Sequence, residues 1–111
     1  MTLLAPLSGN GYTAPYKLRL NTFNQGVGLI VTISAGANLQ ADVWCTGVDD
    51  ITQANYWTTT PVTGYWNLHD ILNTLTTSKN DSLAYPCVAV LLQVSKWVSG
   101  TAALAVIQSV D

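Results

Sequence analysis

Chemistry in this sequence could begin at one place, the adjacent pair His69 and Asp70. A histidine beside a carboxylate can act as a general base whose imidazole the carboxylate orients. Hydrolysis by such a pair also needs a nucleophile, and no G-x-S-x-G motif or comparable arrangement occurs in the chain. A histidine in a β-rich chain is more often structural, with its imidazole bonded to the backbone. We therefore predict that the protein is not an enzyme and has no catalytic residues.

Metal and cofactor ligands are equally sparse. One histidine and two distant cysteines, Cys45 and Cys87, fall short of the four ligands of a zinc site. Asp49 and Asp50 lack the spaced oxygen ligands of a calcium loop, and a turn stabilised by aspartate side chains explains them better. No glycine-rich phosphate-binding motif occurs. We predict no metal and no cofactor, and we favour buried reduced thiols over a disulfide bridge.

The charge content restricts the partners. Only 9% of the 111 residues are charged, whereas typical globular chains have about 25%. The net charge of -2 argues against nucleic acid, which binds to clustered Lys and Arg. No basic amphipathic helix or long apolar segment points to a membrane. A monomer with so little surface charge would tend to self-associate, so we expect the chain to bury much of its surface against other copies or partners.

Apolar and polar residues alternate with period two along much of the chain, which is typical of β-strands. The alternation covers residues 16–21, 27–34, 39–46, 88–95 and 101–109. The turn at residues 34–38 predicts a hairpin between the second and third of these strands. Residues 65–68 are expected to add a short strand, and residues 69–75 a helical turn with Ile71, Leu72 and Leu75 inward. Both faces of the last two strands are apolar, which predicts cover on both sides, from the fold or from another subunit.

These strands, joined by turns rich in Gly, Asn and Ser, predict an all-β fold, a β-sandwich or jelly roll. We assign one such domain to residues 17–111. Residues 1–16 contain two prolines and two glycines and have no sustained periodicity, so we predict an extended N-terminal arm. The arm either lies across its own domain or reaches a neighbouring subunit, and the residues do not decide between the two.

Apolar and aromatic side chains off the core are the candidate interface. Trp and Tyr are enriched at protein interfaces, although most aromatic residues of a small domain fill its core. Trp44 lies on the polar face of its strand, and Tyr56 and Trp57 lie in an irregular segment. Such side chains could also stack on a sugar. The predicted interface residues are Leu3, Leu4, Leu7, Tyr12, Tyr16, Trp44, Tyr56 and Trp57.

The C-terminal half also resembles a family of small virion proteins of tailed bacteriophages. That family has the layout W-x-x-H, then Y-x-x-P-V-x-A-I-R-L, then S-G-T followed by V-I-Q. The similar residues here are 66–69, 85–94, 99–101 and 106–108, and residues 22–28 resemble the start of a family strand. The likeness spans about residues 18–108. The chain departs from the pattern at Cys87, where the family has Val, and at Leu91-Leu92, where the family has an Arg.

The resemblance implies a capsid accessory protein with a β-sandwich or jelly-roll fold. Such a protein would be a homotrimer that cements or decorates the outside of the virion head, after assembly in the host cytoplasm. Its partners would be the major capsid protein and other virion proteins. A head-fibre base or tail adaptor is the alternative among virion proteins. A carbohydrate-binding module that stacks sugar on Trp44, Trp57 or Trp66 is a more remote alternative.

Overall fold

A computed structural model describes residues 2–18, 27–46, 66–83 and 87–108 of the chain. These residues form nine β-strands and no helix. The strands are β1 (Thr2–Leu3), β2 (Gly11–Tyr12), β3 (Tyr16–Lys17), β4 (Val27–Ile33), β5 (Asn38–Thr46), β6 (Asn67–Leu68), β7 (Lys79–Ser82), β8 (Ala89–Ser99) and β9 (Ala102–Gln108). The predicted all-β fold class is confirmed.

The strands pair in two antiparallel sheets. Sheet A has the order β1-β9-β4-β7. Sheet B has the order β2-β8-β5-β6, and β3 pairs with β8 on the same side as β2. Both sheets contribute alternate side chains to one apolar core, which is compatible with the predicted sandwich. Its most deeply buried members include Leu29, Val31, Leu104 and Val106 from sheet A, and Val43, Val90, Leu92 and Val94 from sheet B.

The predicted hairpin at residues 34–38 is wrong. β4 pairs with β7 and β9 in sheet A, whereas β5 pairs with β6 and β8 in sheet B. The turn therefore carries the chain from one sheet to the other, and residues 99–101 do the same between β8 and β9. The two turns contact each other: the Ser34 N–H donates to Thr101 O at 3.0 Å, and the Thr101 N–H donates to Ser34 Oγ at 3.0 Å.

The predicted helical turn at residues 69–75 is also wrong. The segment instead follows the edge of β5, where the Val43 N–H donates to Leu72 O at 2.8 Å. Ala41 and Leu75 exchange two backbone hydrogen bonds of 2.8 and 2.9 Å. Leu72 and Leu75 are buried as predicted, but Ile71 is 47% exposed. An isolated helical turn is unfavourable in water, and pairing with β5 gives partners to backbone groups at the sheet edge.

The N-terminal residues lie against their own chain in the part that the structure describes. β1 pairs with β9, and β2 and β3 pair with β8. Between them Leu7 forms a bridge with Ala102. A separate arm at residues 1–16 is therefore not confirmed. Its contact with a neighbouring subunit stays a prediction.

Candidate interaction surfaces

His69 is buried, and both nitrogens of its imidazole are bonded to the backbone. Nδ1 accepts hydrogen bonds from the N–H groups of Ile71 and Leu72, both at 3.0 Å. Because Nδ1 accepts, the proton lies on Nε2, which donates to Ser82 O at 2.9 Å. The ring thus ties the segment beside β5 in sheet B to β7 in sheet A. The predicted bonding of this imidazole to the backbone is confirmed.

Few features suited to small ligands stand out on the described surface. In the described ranges, no three His, Cys, Asp or Glu side chains lie close enough to hold a metal ion. No helix in that part of the chain is long and apolar enough to cross a membrane. An open depression of about 450 Å³ is lined by residues 33–37 and 76–78, none of which is titratable.

Of the eight predicted interface residues, the structure describes six, and most of these are at least partly buried. Leu3 is the most exposed, at 63%. Leu4 lies in the core, and Leu7 and Tyr16 pack against it. The other two, Tyr12 and Trp44, pack on a small cluster formed by Trp66, Ala89 and Leu91. Tyr56 and Trp57 lie outside the described residues.

The outward face of sheet A is apolar. The strand register aligns Leu3 with Ala105 and Ile30 in one row, and Ile107 with Gly28 in the next. Ile107 is 42% exposed and Leu3 still more. Among the residues described, the outward positions of β1, β4 and β9 hold no charged residue, while Asp81 of β7 lines the depression on this face. We call this surface the A-face patch; it consists of Leu3, Ile30, Ala103, Ala105 and Ile107.

A shallow depression in the A-face patch lies over Gly28. It has a volume of about 210 Å³ and is lined by Gly28, Leu29, Ile30, Asn80, Asp81 and Ile107. It forms because Gly28 has no side chain between the two isoleucines; a Cβ there would lie 3.6 Å from the Ile107 Cβ. A partner's anchor side chain is better packed and desolvated in a surface depression than on a flat face.

The two strands with apolar outer faces, β8 and β9, differ in how much of that face the rest of the chain covers. Leu91, on the outward face of β8, is completely buried beneath Trp44, Trp66 and Tyr12. Ile107, on the outward face of β9, remains exposed. The sequence left open whether the fold or another subunit would cover these strands. The chain itself covers Leu91 on β8, whereas on the outer face of β9 Ala105 is buried and Ile107 is left exposed.

A bulge in β8 presents a second apolar surface. Asn38 pairs with Ser99 and Gln40 with Ser95, so three residues of β8 face one of β5. The bulge turns through Lys96, whose φ of 53° lies in the left-handed region. The Trp97 N–H donates to Asn10 Oδ1, and its Nε1–H donates to Gly100 O, both at 2.9 Å. These bonds hold Trp97 and Val98 at the surface, and we call the three residues 96–98 the β8 bulge.

Sequence reasoning did not select Ile30, Ile107, Trp97 or Val98 as interface residues. Two signals for them were present. Both faces of the last strand are apolar, and the consecutive residues Trp97 and Val98 interrupt the alternation that precedes them.

Comparison with protein-family models, with curated proteins and with solved structures finds no match in any of the three.

Proposed function

We propose that this chain is a structural protein of a bacteriophage virion that cements or decorates the head by bridging neighbouring capsid subunits. The observation that carries the proposal is the A-face patch, an apolar surface with Leu3 and Ile107 exposed and with Asp81 in the wall of its depression. Burying such a surface contributes about 25 cal/mol per Å². A protein that binds only assembled shells stabilises them by mass action. The resemblance of residues 18–108 to small phage virion proteins supports the same assignment.

The proposal includes a jelly-roll topology. A jelly roll has eight strands in two sheets connected as two Greek keys, and viral capsid domains use it. β9 lies between β1 and β4, while β8 lies between β2 and β5, so late strands insert between early ones in both sheets. β2 and β3 follow each other along one side of β8 and act as one interrupted strand. With these two counted together, the described residues contain eight strands, and their order supports the proposed jelly roll.

The proposed assembly is a homotrimer on the outside of the head, formed in the host cytoplasm, with the major capsid protein as its main partner. The low charge of the chain supports a protein that is surrounded by other subunits. Leu3 places one residue of the predicted arm at the border of the A-face patch. Residues 1–16 can therefore contribute to an interface while their strands stay paired with β8 and β9.

The test is a single charge placed on the A-face patch. We expect wild-type protein to co-sediment with purified shells that lack it, and Ile107→Lys to bind about 100-fold more weakly, because an ammonium group would lose its hydration in the contact. Sedimentation across a range of protein concentrations measures both affinities. Thermal unfolding should be nearly unchanged, since Ile107 is partly exposed and the lysine stem can cover the same apolar neighbours.

The matched control is Thr76→Lys, which adds the same charge at an exposed position away from the patch. It should bind like wild type. Equal binding by Ile107→Lys and wild type would contradict the role of the patch. Wild-type protein that binds isolated tails or head fibres but not shells would favour the fibre-base or tail-adaptor alternative. A monomer that ignores all of these and changes its Trp fluorescence with added saccharides would favour a carbohydrate-binding module.

A further inference from the structure

The proposed function leaves two exposed apolar surfaces of sheet B without a role. One is the β8 bulge, where Trp97 is exposed and Val98 is 65% exposed. The other consists of the exposed residues Leu68, Asp70 and Ile71, and we call it the 68–71 surface. With the A-face patch, these two surfaces contain every large hydrophobic side chain that is exposed in the described part of the chain.

The two surfaces carry charges of opposite sign. Lys96 is exposed in the β8 bulge, and Asp70 is exposed in the 68–71 surface. Among the described residues of sheet B, the other charged side chains are Lys17 and the buried Asp42. Apolar side chains beside one ammonium group are complementary to apolar side chains beside one carboxylate, both in polarity and in charge. Sheet B therefore presents two surfaces that suit each other.

Within one chain these surfaces are too far apart to meet. β8 lies on one side of β5 and β6 lies on the other. The β8 bulge lies beside Leu39 of β5, whereas Leu68 pairs with Trp44. Five residues separate Leu39 from Trp44, and five residues of a strand span roughly 16 Å. The two surfaces can therefore contact each other only between two copies of the chain.

Hydrogen bonds hold both surfaces in place before any contact forms. The indole N–H of Trp97 donates to Gly100 O, so the polar atom of the ring already has a partner and its carbon atoms are left for packing. The Asn73 Nδ2 atom donates to the backbone carbonyls of His69 and Asp70, at 2.6 and 3.0 Å, and fixes the turn that carries the 68–71 surface. Surfaces that are already ordered lose less conformational entropy when they associate.

We propose that this chain associates with itself by packing the β8 bulge of one copy on the 68–71 surface of the next. The apolar side chains of the two surfaces pack together, and the Lys96 ammonium group pairs with the Asp70 carboxylate. Because the contact joins two different surfaces, it can repeat from copy to copy and close into a ring. A homotrimer is such a ring with three contacts. Only the number three rests on the proposed function, which assigns no residues to contacts between copies.

The test is reversal of the two charges, with the mass in solution measured by light scattering in the absence of shells. Wild-type protein should have the mass of a trimer. Lys96→Asp and Asp70→Lys each place like charges together in all three contacts. Each should therefore weaken assembly of the trimer on the order of 1,000-fold, about tenfold for each contact. The double variant restores opposite charges and should recover the wild-type mass. Aspartate also tolerates the left-handed conformation at position 96.

The matched control is Lys79→Asp, which reverses an exposed charge on β7, away from both surfaces, and should leave the trimer intact. An equimolar mixture of the two single variants should associate, since each supplies the charge that the other needs, and this test does not depend on the double variant folding. A monomeric wild type, single variants that stay trimeric, or a mixture that stays monomeric would overturn the proposal. Binding to shells through the A-face patch is measured separately, with Ile107→Lys, so the failure of one proposal is distinguishable from the failure of the other.

Discussion

Replacing Gly100 with alanine is expected to destabilise the fold by about 3 kcal/mol. Gly100 has a φ of 94°, and a Cβ added there would lie 2.3 Å from the Ala37 Cβ and 2.8 Å from the Ala37 Cα. The second atom is backbone and cannot rotate away. The two turns that cross between the sheets must therefore separate, which stretches the Ser34–Thr101 hydrogen bonds. The midpoint of urea unfolding measures the loss.

Gly36→Ala is the matched control for this prediction. Gly36 lies in the facing turn with a φ of 75°, but an added Cβ there has no atom within 4 Å. Only the left-handed conformation is penalised, so we expect a loss of about 1 kcal/mol. Equal losses in the two variants would show that conformation rather than contact between the turns sets the cost. Adding Ala37→Gly to Gly100→Ala should recover part of the stability, because the closest contact disappears.

The faces of the strands could be predicted from the sequence, but their neighbours could not. The alternation at residues 27–34 placed Leu29, Val31 and Ile33 on one face, and all three are in the core. The same pattern says nothing about which strand lies alongside, since inward residues look alike in a hairpin and in strands of two facing sheets. The four residues between β4 and β5 suit either connection. The choice depends on contact with residues 99–101, far away in the sequence.

Local patterns also failed where the backbone of another element decides the structure. Ile71, Leu72 and Leu75 have a spacing that a helical turn allows, yet the edge of β5 offers partners to the backbone of this segment. The β8 bulge requires a left-handed conformation at Lys96, a residue type that does not signal it. Bonds to Asn10 and Gly100, which alternation cannot reveal, hold Trp97 in place.

The sequence predicts that the chain has an interaction surface, but it does not predict which residues form that surface. Low charge and two-sided apolar strands by themselves predict an outer surface that is buried against other molecules. The aromatic residues led to the prediction that Trp44 is an interface residue. Trp44 instead packs within its own domain, and its Nε1–H donates to Gln93 Oε1. Aliphatic residues of sheet A form the exposed surface instead. Aromatic character alone does not distinguish a side chain that covers its own sheet from one that contacts a partner.

Replacing His69 with alanine is expected to destabilise the fold by about 3 kcal/mol. The change removes the acceptor of the Ile71 and Leu72 N–H groups and the donor to Ser82 O. Leu72 is fully buried, so water has little access to its freed N–H, and a buried unsatisfied group costs about 1–3 kcal/mol. Thermal unfolding measures the total loss. Amide exchange should accelerate most in residues 69–75 and in β7, the two segments that the imidazole connects.

Asp70→Ala is the control beside it, because the Asp70 side chain is exposed and its neighbour Asn73 contacts only the Asp70 backbone carbonyl. Its effect should stay within about 0.5 kcal/mol. A His69 variant as stable as this control would contradict the assigned role and show that other contacts join the sheets at this side. If the loss is as large as expected, His69, the residue that suggested catalysis, serves to hold sheet A and sheet B together. The outer face of sheet A then remains the proposed interaction surface.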